Sequence, residues 1–202
     1  VERLEEQGVQ RLDLLVVTHA QADHEGGAAA VLEALPVATV LDGRDGVESA
    51  DGIALAAAAR ERGIPLVPAA AGQRLRVGPL VLDVLGPEPE PVSPPAGEDP
   101  NQRAIVAELR SGDFSMLLPA DAESDVLARL PLRPVDVLKV SHHGSADPGL
   151  PALLERLRPR VALVEVGARN SYGHPAPDTL DALAVVPRVH RTDRDGTVVL
   201  RP

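Results

Sequence analysis

The sequence predicts an α/β fold built as one domain over residues 1–202, and three observations support this. The chain is long enough for a sizeable core, and 44% of its residues are hydrophobic. Short apolar runs typical of buried strands alternate with stretches of helical periodicity. The sequence contains no internal repeat and no sign of a second core. The economical arrangement is therefore a set of mixed sheets covered by helices.

The first half of the chain begins with the end of a helix that stops at Gly8. Apolar runs then predict strands over residues 12–17, 37–41, 65–67, 73–77 and 79–85. Helical patterns cover residues 28–35 and the alanine-rich segment Ala50–Arg62, which should end at Gly63.

Residues 86–100 interrupt this alternation. Six prolines and four acidic residues share the segment, a composition that supports neither a helix nor a strand. We expect a flexible proline-rich loop there, either a mobile flap or a simple disordered excursion.

The second half predicts strands over residues 101–110, 114–118, 135–140, 161–166 and 197–201. Residues 111–113 turn the first of these into the second as a hairpin. Helices are expected over residues 122–130, 149–157 and 177–185, with Pro177 or Asp178 in the first turn of the last one.

The composition limits the function. The formal net charge is −10 and only 1% of the residues are aromatic, which differs from the basic surface of a typical nucleic-acid-binding protein. Bound cations would neutralise part of this charge. The chain has no cysteine, which excludes disulfides and thiolate metal sites. No apolar run approaches the roughly 20 residues of a membrane span, so we expect the chain as given to be soluble.

Unusual polar side chains follow four of the predicted strands. Because the carboxyl ends of such strands converge in α/β folds, these side chains should lie together. Imidazole and carboxylate groups are good ligands for divalent cations. The four groups are His19, Gln21, Asp23 and His24; Asp121; His142 and His143; and Asn170 and His174.

The two carboxylates among these side chains each have an alternative structural role. Asp23 lies where it could cap the helix over residues 28–35. Asp121 suits a carboxylate that bridges two cations, but it suits equally well the N-cap of the helix over residues 122–130.

The motifs resemble those of a known family. Residues 19–24, His-Ala-Gln-Ala-Asp-His, are similar to the His-x-His-x-Asp-His motif of the metallo-β-lactamase fold, and residues 117–121 are similar to its later strand-end aspartate. Residues 138–145 and 170–175, which contain His-His-Gly-Ser and Asn-x-x-Gly-His-Pro, resemble the metallo-β-lactamase-like domain of the ComEC family. ComEC proteins are membrane channel proteins of bacterial DNA uptake.

The resemblance implies a metallo-β-lactamase-type αββα sandwich with a two-metal site that hydrolyses phosphodiesters. One metal would take His19, Asp121 and, less securely, Gln21; the other would take Asp23, His24, Asp121 and His143. His142 would contact phosphate, although it could exchange roles with His143. The implied catalytic residues are Asp23, His142 and His174, and the implied substrate-binding residues are His142, Asn170, Tyr172, His174 and Lys139.

The chain departs from the family pattern in three places. Gln21 stands where the superfamily has histidine, and an amide oxygen suits Mn²⁺ or Mg²⁺ better than Zn²⁺. Asn101 lies in the region where many members have a further histidine. The opening strands of the family are missing from the chain as given. We therefore expect one or two divalent ions, with Mn²⁺ favoured and Zn²⁺ or Mg²⁺ as alternatives.

The resemblance also implies a biological setting. The expected activity is metal-dependent cleavage of DNA, which would degrade the strand that is not transported during natural transformation. The expected partners are DNA and the membrane channel portion of a parent protein. The chain would be a monomeric soluble domain at the extracytoplasmic face of a bacterial cytoplasmic membrane. Two alternatives stay open: a hydrolase of a small phosphoester with the same fold, and a catalytically degenerate domain that docks DNA or a partner.

Overall fold

Two units, each built on its own β-sheet, make up the computed structural model of the chain. The structure describes residues 1–44, 49–89 and 99–200. The first unit comprises Val1–Ala71 and Pro87–Ile105, and the second comprises Gly72–Gly86 and Val106–Pro202. The proline-rich loop predicted over residues 86–100 falls largely on residues 90–98, which lie outside the described residues.

The first unit contains a parallel three-stranded sheet in the order β1-β2-β3. Each crossover between neighbouring strands passes through helices, as parallel pairing requires. In chain order the elements are α1 (Glu2–Glu6), β1 (Leu15–Val17), α2 (Ala22–Glu25), α3 (Ala28–Ala34), β2 (Val40–Asp42), α4 (Ala50–Arg62) and β3 (Leu66–Pro68). Its core is aliphatic and includes Val17, Leu32, Val40, Leu55 and Ala59.

Helix α4 has the bounds that the sequence predicts, because both of its ends are chemically specified. The Ser49 hydroxyl caps the first turn by accepting a hydrogen bond from the Gly52 N–H at 2.8 Å. Gly63 ends the helix in the left-handed conformation, with φ +65°, which a residue without a Cβ adopts readily.

The second unit contains a mixed seven-stranded sheet in the order β10-β9-β8-β7-β6-β5-β4. Its elements are β4 (Arg74–Val77), β5 (Leu80–Gly86), β6 (Val106–Ser111), β7 (Phe114–Leu118), α5 (Ser124–Leu127), β8 (Val137–Lys139), α6 (Leu150–Leu157), β9 (Val161–Val164), α7 (Pro177–Leu183), β10 (Arg188–Arg191) and α8 (Thr192–Asp195). Strands β4 to β7 pair antiparallel, and β7 to β10 pair parallel. The carboxyl ends of β7, β8 and β9 therefore lie at one edge of the sheet.

Three predicted elements of the second half are wrong in part. The strand expected over residues 101–110 starts only at Val106, because Pro100–Arg103 form a 3₁₀ turn in which the Asp99 carboxylate accepts from the Asn101 N–H. The helix expected over residues 122–130 is the single turn α5. No strand occurs among residues 197–200; the last strand is β10, a largely polar edge strand that pairs with β9.

The proposed capping roles of the two aspartates are also wrong. Helix α5 begins after Glu123, so Asp121 lies ahead of its N-cap. Gln21 is the N-cap of α2 and Gly27 is that of α3, whereas Asp23 lies inside the first turn of α2. Neither carboxylate is therefore the N-cap of the helix that the sequence predicted for it.

Among the described residues, no helix combines the length and the apolar character needed to cross a membrane.

Candidate metal centre

In the first unit, the turn after β1 places two imidazole rings against one hydroxyl group. The Thr18 Oγ1 atom lies 3.0 Å from His19 Nδ1 and 3.2 Å from His24 Nδ1. The two ring centroids are 4.0 Å apart, and His19 is only 1% exposed. An outer partner on Nδ1 fixes the orientation of a histidine that ligates a metal through Nε2. Thr18 supplies that partner, and the sequence motif alone did not single it out.

Helix α2 carries the remaining candidate ligands of this turn. The exposed Asp23 carboxylate has Oδ2 at 3.7 Å from His24 Nε2. The Gln21 backbone N–H donates to the His19 carbonyl at 3.1 Å, and the half-buried Gln21 side chain makes no capping hydrogen bond. The role of Gln21 as a ligand stays a prediction.

A buried contact holds helix α2 in place. Glu25, the last residue of α2, is 2% exposed and accepts a hydrogen bond from the Ser49 hydroxyl at 2.6 Å. Ser49 is also the N-cap of α4. One side chain thus connects the short helix that carries Asp23 and His24 to the longest helix of the unit.

In the second unit, two histidine side chains converge on Asp121. This carboxylate follows β7 and is 1% exposed. Its Oδ2 atom lies 3.6 Å from His143 Nε2 and 3.8 Å from His142 Nε2. The structure thus brings together Asp121, His142 and His143, which the sequence places after β7 and β8.

His142, His143 and Gly144 form a turn, here called the His-His turn. Its backbone conformation directs both imidazole rings toward the Asp121 carboxylate. His142 and His143 have φ of 45° and 53°, and Gly144 continues the left-handed run with φ +85°. A Cβ on Gly144 would come within 2.8 Å of Pro175 Cβ, so only glycine fits. Left-handed conformations cost non-glycine residues about 1–2 kcal/mol each, and such strain concentrates at functional sites.

Each of the two rings has a hydrogen-bond acceptor at its Nδ1 atom. His143 Nδ1 donates to the Glu165 carbonyl at 2.9 Å, and His142 Nδ1 donates to Glu123 Oε1 at 2.9 Å. Because Nδ1 of each ring is engaged in this way, it is the Nε2 atom that faces Asp121. This is the usual arrangement of a histidine that ligates a metal.

Glu123 is a residue of this site that the sequence motifs did not reveal. Besides His142, it accepts a hydrogen bond from the Ser145 hydroxyl, and the Ser145 carbonyl in turn accepts from the Thr179 hydroxyl. A second carboxylate two positions after Asp121 was the signal in the sequence that could have pointed to it.

The loop over residues 167–174 carries the other predicted substrate residues. The Asn170 amide donates to the carbonyls of Gly167 at 3.0 Å and His174 at 2.8 Å, and its Oδ1 accepts from the His174 N–H at 3.1 Å. These three hydrogen bonds of the Asn170 side chain hold the loop in its conformation. Asn170 thereby positions His174, whose ring centroid lies 5.6 Å from that of His142.

The surroundings of His174 change the pKa of its imidazole. Burial lowers its pKa below the usual value of an imidazole, and the charges of His142 and His143 lower it further. The carboxylates of Asp121 and Glu123 act in the opposite direction but are the weaker influence. The net effect favours the neutral form of the His174 imidazole.

Lys139, at the end of β8, has a side chain that is 16% exposed and a Nζ atom 3.7 Å from Glu165 Oε2. Tyr172, by contrast, is among the most exposed large side chains, and its ring is stacked on His174. The structure brings these residues to the same sheet edge as the His-His turn.

The available ligands fit a divalent metal. Asp23 and His24 in the first unit, and Asp121 and His143 in the second, can each offer a nitrogen or oxygen ligand atom. Imidazole with carboxylate suits Zn²⁺, Mn²⁺ and iron alike, so the ligand types in each unit select a class of ions rather than one metal.

The family of the chain follows from comparison with known proteins. The family model for the metallo-β-lactamase superfamily matches residues 2–167. The chain therefore belongs to the metallo-β-lactamase superfamily, a family of metal-dependent hydrolases. The predicted fold class is confirmed, and one solved structure shows it directly: the metallo-β-lactamase fold protein YhfI from Bacillus subtilis superimposes with a TM-score of 0.51 at 13% identity, covering 89% of this chain and 74% of that one.

The resemblance to ComEC is also confirmed. The chain is 32% identical over 200 residues to ComE operon protein 3 of Bacillus subtilis (strain 168), and this match covers 96% of the chain. It is 28% identical over 184 residues to Recombination protein 2 of Haemophilus influenzae, with 89% of the chain covered. The chain spans only 25% and 20% of the length of these two relatives.

Proposed function

We propose that this chain is a divalent-metal-dependent nuclease that hydrolyses phosphodiester bonds in DNA. The observation that supports this best is the His-His turn, in which two oriented imidazoles face the buried Asp121 carboxylate. The printed names of the two relatives, a ComE operon protein and a recombination protein, favour DNA as the substrate.

The metal ligands of this proposal are those that the family resemblance implies. We assign His19, Asp121 and Gln21 to one ion and Asp23, His24, Asp121 and His143 to the other, with Mn²⁺ as the favoured metal. Bound divalent cations supply Lewis acidity, which makes water a nucleophile at neutral pH and stabilises negative charge on phosphate oxygens.

The remaining side chains bind the substrate and handle protons. With metal bound, Asp23, exposed on α2, would serve as a ligand and would orient the attacking water. His142, whose ring is oriented by Glu123, contacts the scissile phosphate. It acts as the general acid that protonates the leaving oxygen. His174 contacts the substrate or the leaving group, and burial lowers the pKa of its imidazole. Lys139 offers a positive charge to a phosphate.

The biological setting belongs to the same proposal. We assign the chain to degradation of the DNA strand that is not transported during natural transformation. It would act as a monomeric portion of a larger bacterial membrane channel protein, at the extracytoplasmic face. The similarity to competence proteins along almost the whole chain supports this setting.

A cleavage assay with metal analysis tests the proposal. Single- and double-stranded DNA are incubated with Mn²⁺, Mg²⁺, Zn²⁺ or EDTA, and the metal content of the same sample is measured. We expect cleavage with Mn²⁺ that EDTA abolishes. Cleavage of bis(p-nitrophenyl) phosphate without cleavage of DNA would instead identify a small-phosphoester hydrolase. Bound metal with no cleavage of either substrate would contradict the enzyme proposal and favour a docking domain.

A further inference from the structure

The single tyrosine of the chain lies in solvent beside the candidate site. Tyr172 is 79% exposed, in a protein with one tyrosine, one phenylalanine and no tryptophan. Burying an aromatic ring stabilises a core, and the aliphatic core does not use this one. An exposed aromatic ring next to a proposed phosphodiesterase site therefore points to a ligand that the ring contacts.

The Tyr172 ring lies alongside the ring of His174. Its centroid lies 6.0 Å from that of His174, and the two ring planes are inclined by 12°, so the rings are stacked. The hydrogen bonds of Asn170 to Gly167 and His174 hold the loop that carries both rings. The tyrosine is thus carried by a hydrogen-bonded loop, and its high exposure leaves the ring accessible to a planar group.

The same loop also carries a positive charge. Arg169 is exposed and lies three positions before Tyr172. A stacking ring combined with a cation for the backbone phosphate is the usual means of binding single-stranded nucleic acid without sequence preference. In a duplex each base is already stacked on both faces and paired, so an internal duplex base cannot lie flat on this ring.

We infer that Tyr172 is a stacking platform for an unpaired nucleobase, and that the substrate enters the site as single-stranded DNA or as a single-stranded end. This inference rests on the proposed nuclease function and specifies the form of the substrate. The neighbouring His174 and Arg169 would contact the phosphate backbone on either side of the stacked base.

The ring itself provides the first test, because a chain with one tyrosine gives one set of tyrosine ring signals in NMR. Protein labelled with ¹³C-tyrosine is titrated in Mg²⁺ with a nuclease-resistant phosphorothioate oligothymidylate. We expect an upfield shift of the Tyr172 ring protons as a base stacks on them. Two controls should leave the tyrosine signals unshifted. One is the blunt duplex of this oligothymidylate with oligodeoxyadenylate, and the other is thymidine monophosphate at the same base concentration.

Variants provide the second test. Tyr172→Leu should weaken binding of the single strand by about 5- to 150-fold, since stacking contributes about 1–3 kcal/mol per base. Tyr172→Phe keeps the ring and should bind within about 2-fold of the unchanged chain. Val185→Ala is the matched control, because Val185 is also highly exposed, at 76%, but lies outside this loop.

The outcomes separate this inference from the proposed function. If the unchanged chain cleaves DNA with Mn²⁺ while Tyr172→Leu binds and cleaves single strands as well as Val185→Ala does, the platform is excluded and the nuclease stands. A duplex or a mononucleotide that shifts the ring as strongly as the single strand would also overturn the inference. If no DNA is bound or cleaved, both proposals fall together.

Discussion

At the scale of single residues, the arrangement around Asp121 sets the chemistry. A carboxylate that is 1% exposed is costly to ionise unless positive charge or hydrogen-bond donors face it. Here the Nε2 atoms of His142 and His143 lie at 3.8 and 3.6 Å, which is too long for hydrogen bonds. These three groups are spaced so that a cation could lie among them.

Asp23→Ala tests the ligand assignment in the first unit. We expect Mn²⁺-dependent DNA cleavage to fall by about 100-fold or more, because loss of a direct ligand should exceed the 10- to 100-fold effect of losing an outer partner. The side chain is 56% exposed, so the melting temperature should change little. Asp13→Ala, another exposed aspartate of this unit, serves as the control. Undiminished cleavage by Asp23→Ala would refute its role as a ligand.

Gln21→His tests the unusual position of the first motif. Imidazole binds Zn²⁺ more strongly than an amide oxygen does. We therefore expect the variant to bind Zn²⁺ more tightly in a competition with a chromogenic chelator, and to lose part of its preference for Mn²⁺. A variant with the zinc affinity and metal preference of the unchanged chain would show that Gln21 is not a ligand.

Glu123→Ala tests the residue that the motifs did not reveal. Without its acceptor, the His142 ring loses both its orientation and its fixed tautomer, and activity should fall by about 10- to 100-fold. Glu123→Gln, which keeps an oxygen acceptor, should lose less. Glu155→Ala removes an exposed glutamate of α6 and should behave like the unchanged chain. Equal cleavage rates for Glu123→Ala and Glu155→Ala would assign Glu123 a purely structural role.

At the scale of elements, the strands of the second unit are also joined by charge. Asp83 on β5 accepts hydrogen bonds from Arg74 on β4 and from Arg110 on β6. The hydrogen bond from Arg74 lowers the pKa of the Asp83 carboxyl, with Arg110 adding to the effect and burial opposing it. Asp83 therefore links β4, β5 and β6 in a cross-strand ion-pair network, and its side chain is only 16% exposed.

This network predicts a dependence of stability on pH. Because the pKa of Asp83 is lower in the folded than in the unfolded chain, the unfolded chain binds more protons at acid pH. The stabilisation is complete above the ordinary aspartate pKa of about 3.9 and is lost as the pH falls through the folded value.

Asp83→Asn should accordingly lower the free energy of unfolding at pH 7 by up to about 1 kcal/mol, and the difference should shrink as the solution is acidified below about pH 4. Urea unfolding of the variant and of the control Asp181→Asn at several pH values measures this. If Asp83→Asn lowers the free energy of unfolding by the same amount at every pH, packing rather than charge is responsible.

At the scale of the whole molecule, a formal net charge of −10 must be reconciled with a polyanionic substrate. Nucleic-acid-binding proteins usually attract phosphates with lysine and arginine, and this chain has an excess of acidic residues. Bound cations would therefore provide much of the local attraction that the protein surface lacks.

We expect binding of a nuclease-resistant oligonucleotide to depend on divalent metal. Fluorescence anisotropy in Mn²⁺ and then in EDTA, at constant ionic strength, should show a loss of affinity of at least about 10-fold, which corresponds to about 1.4 kcal/mol. Affinity that is unchanged or stronger in EDTA would mean that DNA is held by protein cations away from the proposed metals.

Much of the fold could be predicted from local patterns in the sequence. The bounds of α4 follow from Ser49 and Gly63, and the strands β4, β5, β7 and β9 lie where apolar runs predict them. Prediction was wrong where local pattern and tertiary pairing disagree. Strand β10 is polar and half-buried, and only its parallel pairing with β9 makes it a strand.

The sequence by itself determined which residues could carry chemistry, because the spacing of histidine and aspartate after apolar strands is a property of the chain alone. It also determined the family, through motifs that run from the first strand to the loop over residues 170–175. Only the tertiary structure decided that both imidazoles of the His-His turn face Asp121, that Glu123 orients one of them, and that Tyr172 lies in solvent. Ring direction and exposure depend on left-handed backbone angles and on contacts with residues distant in sequence, and a linear pattern contains neither.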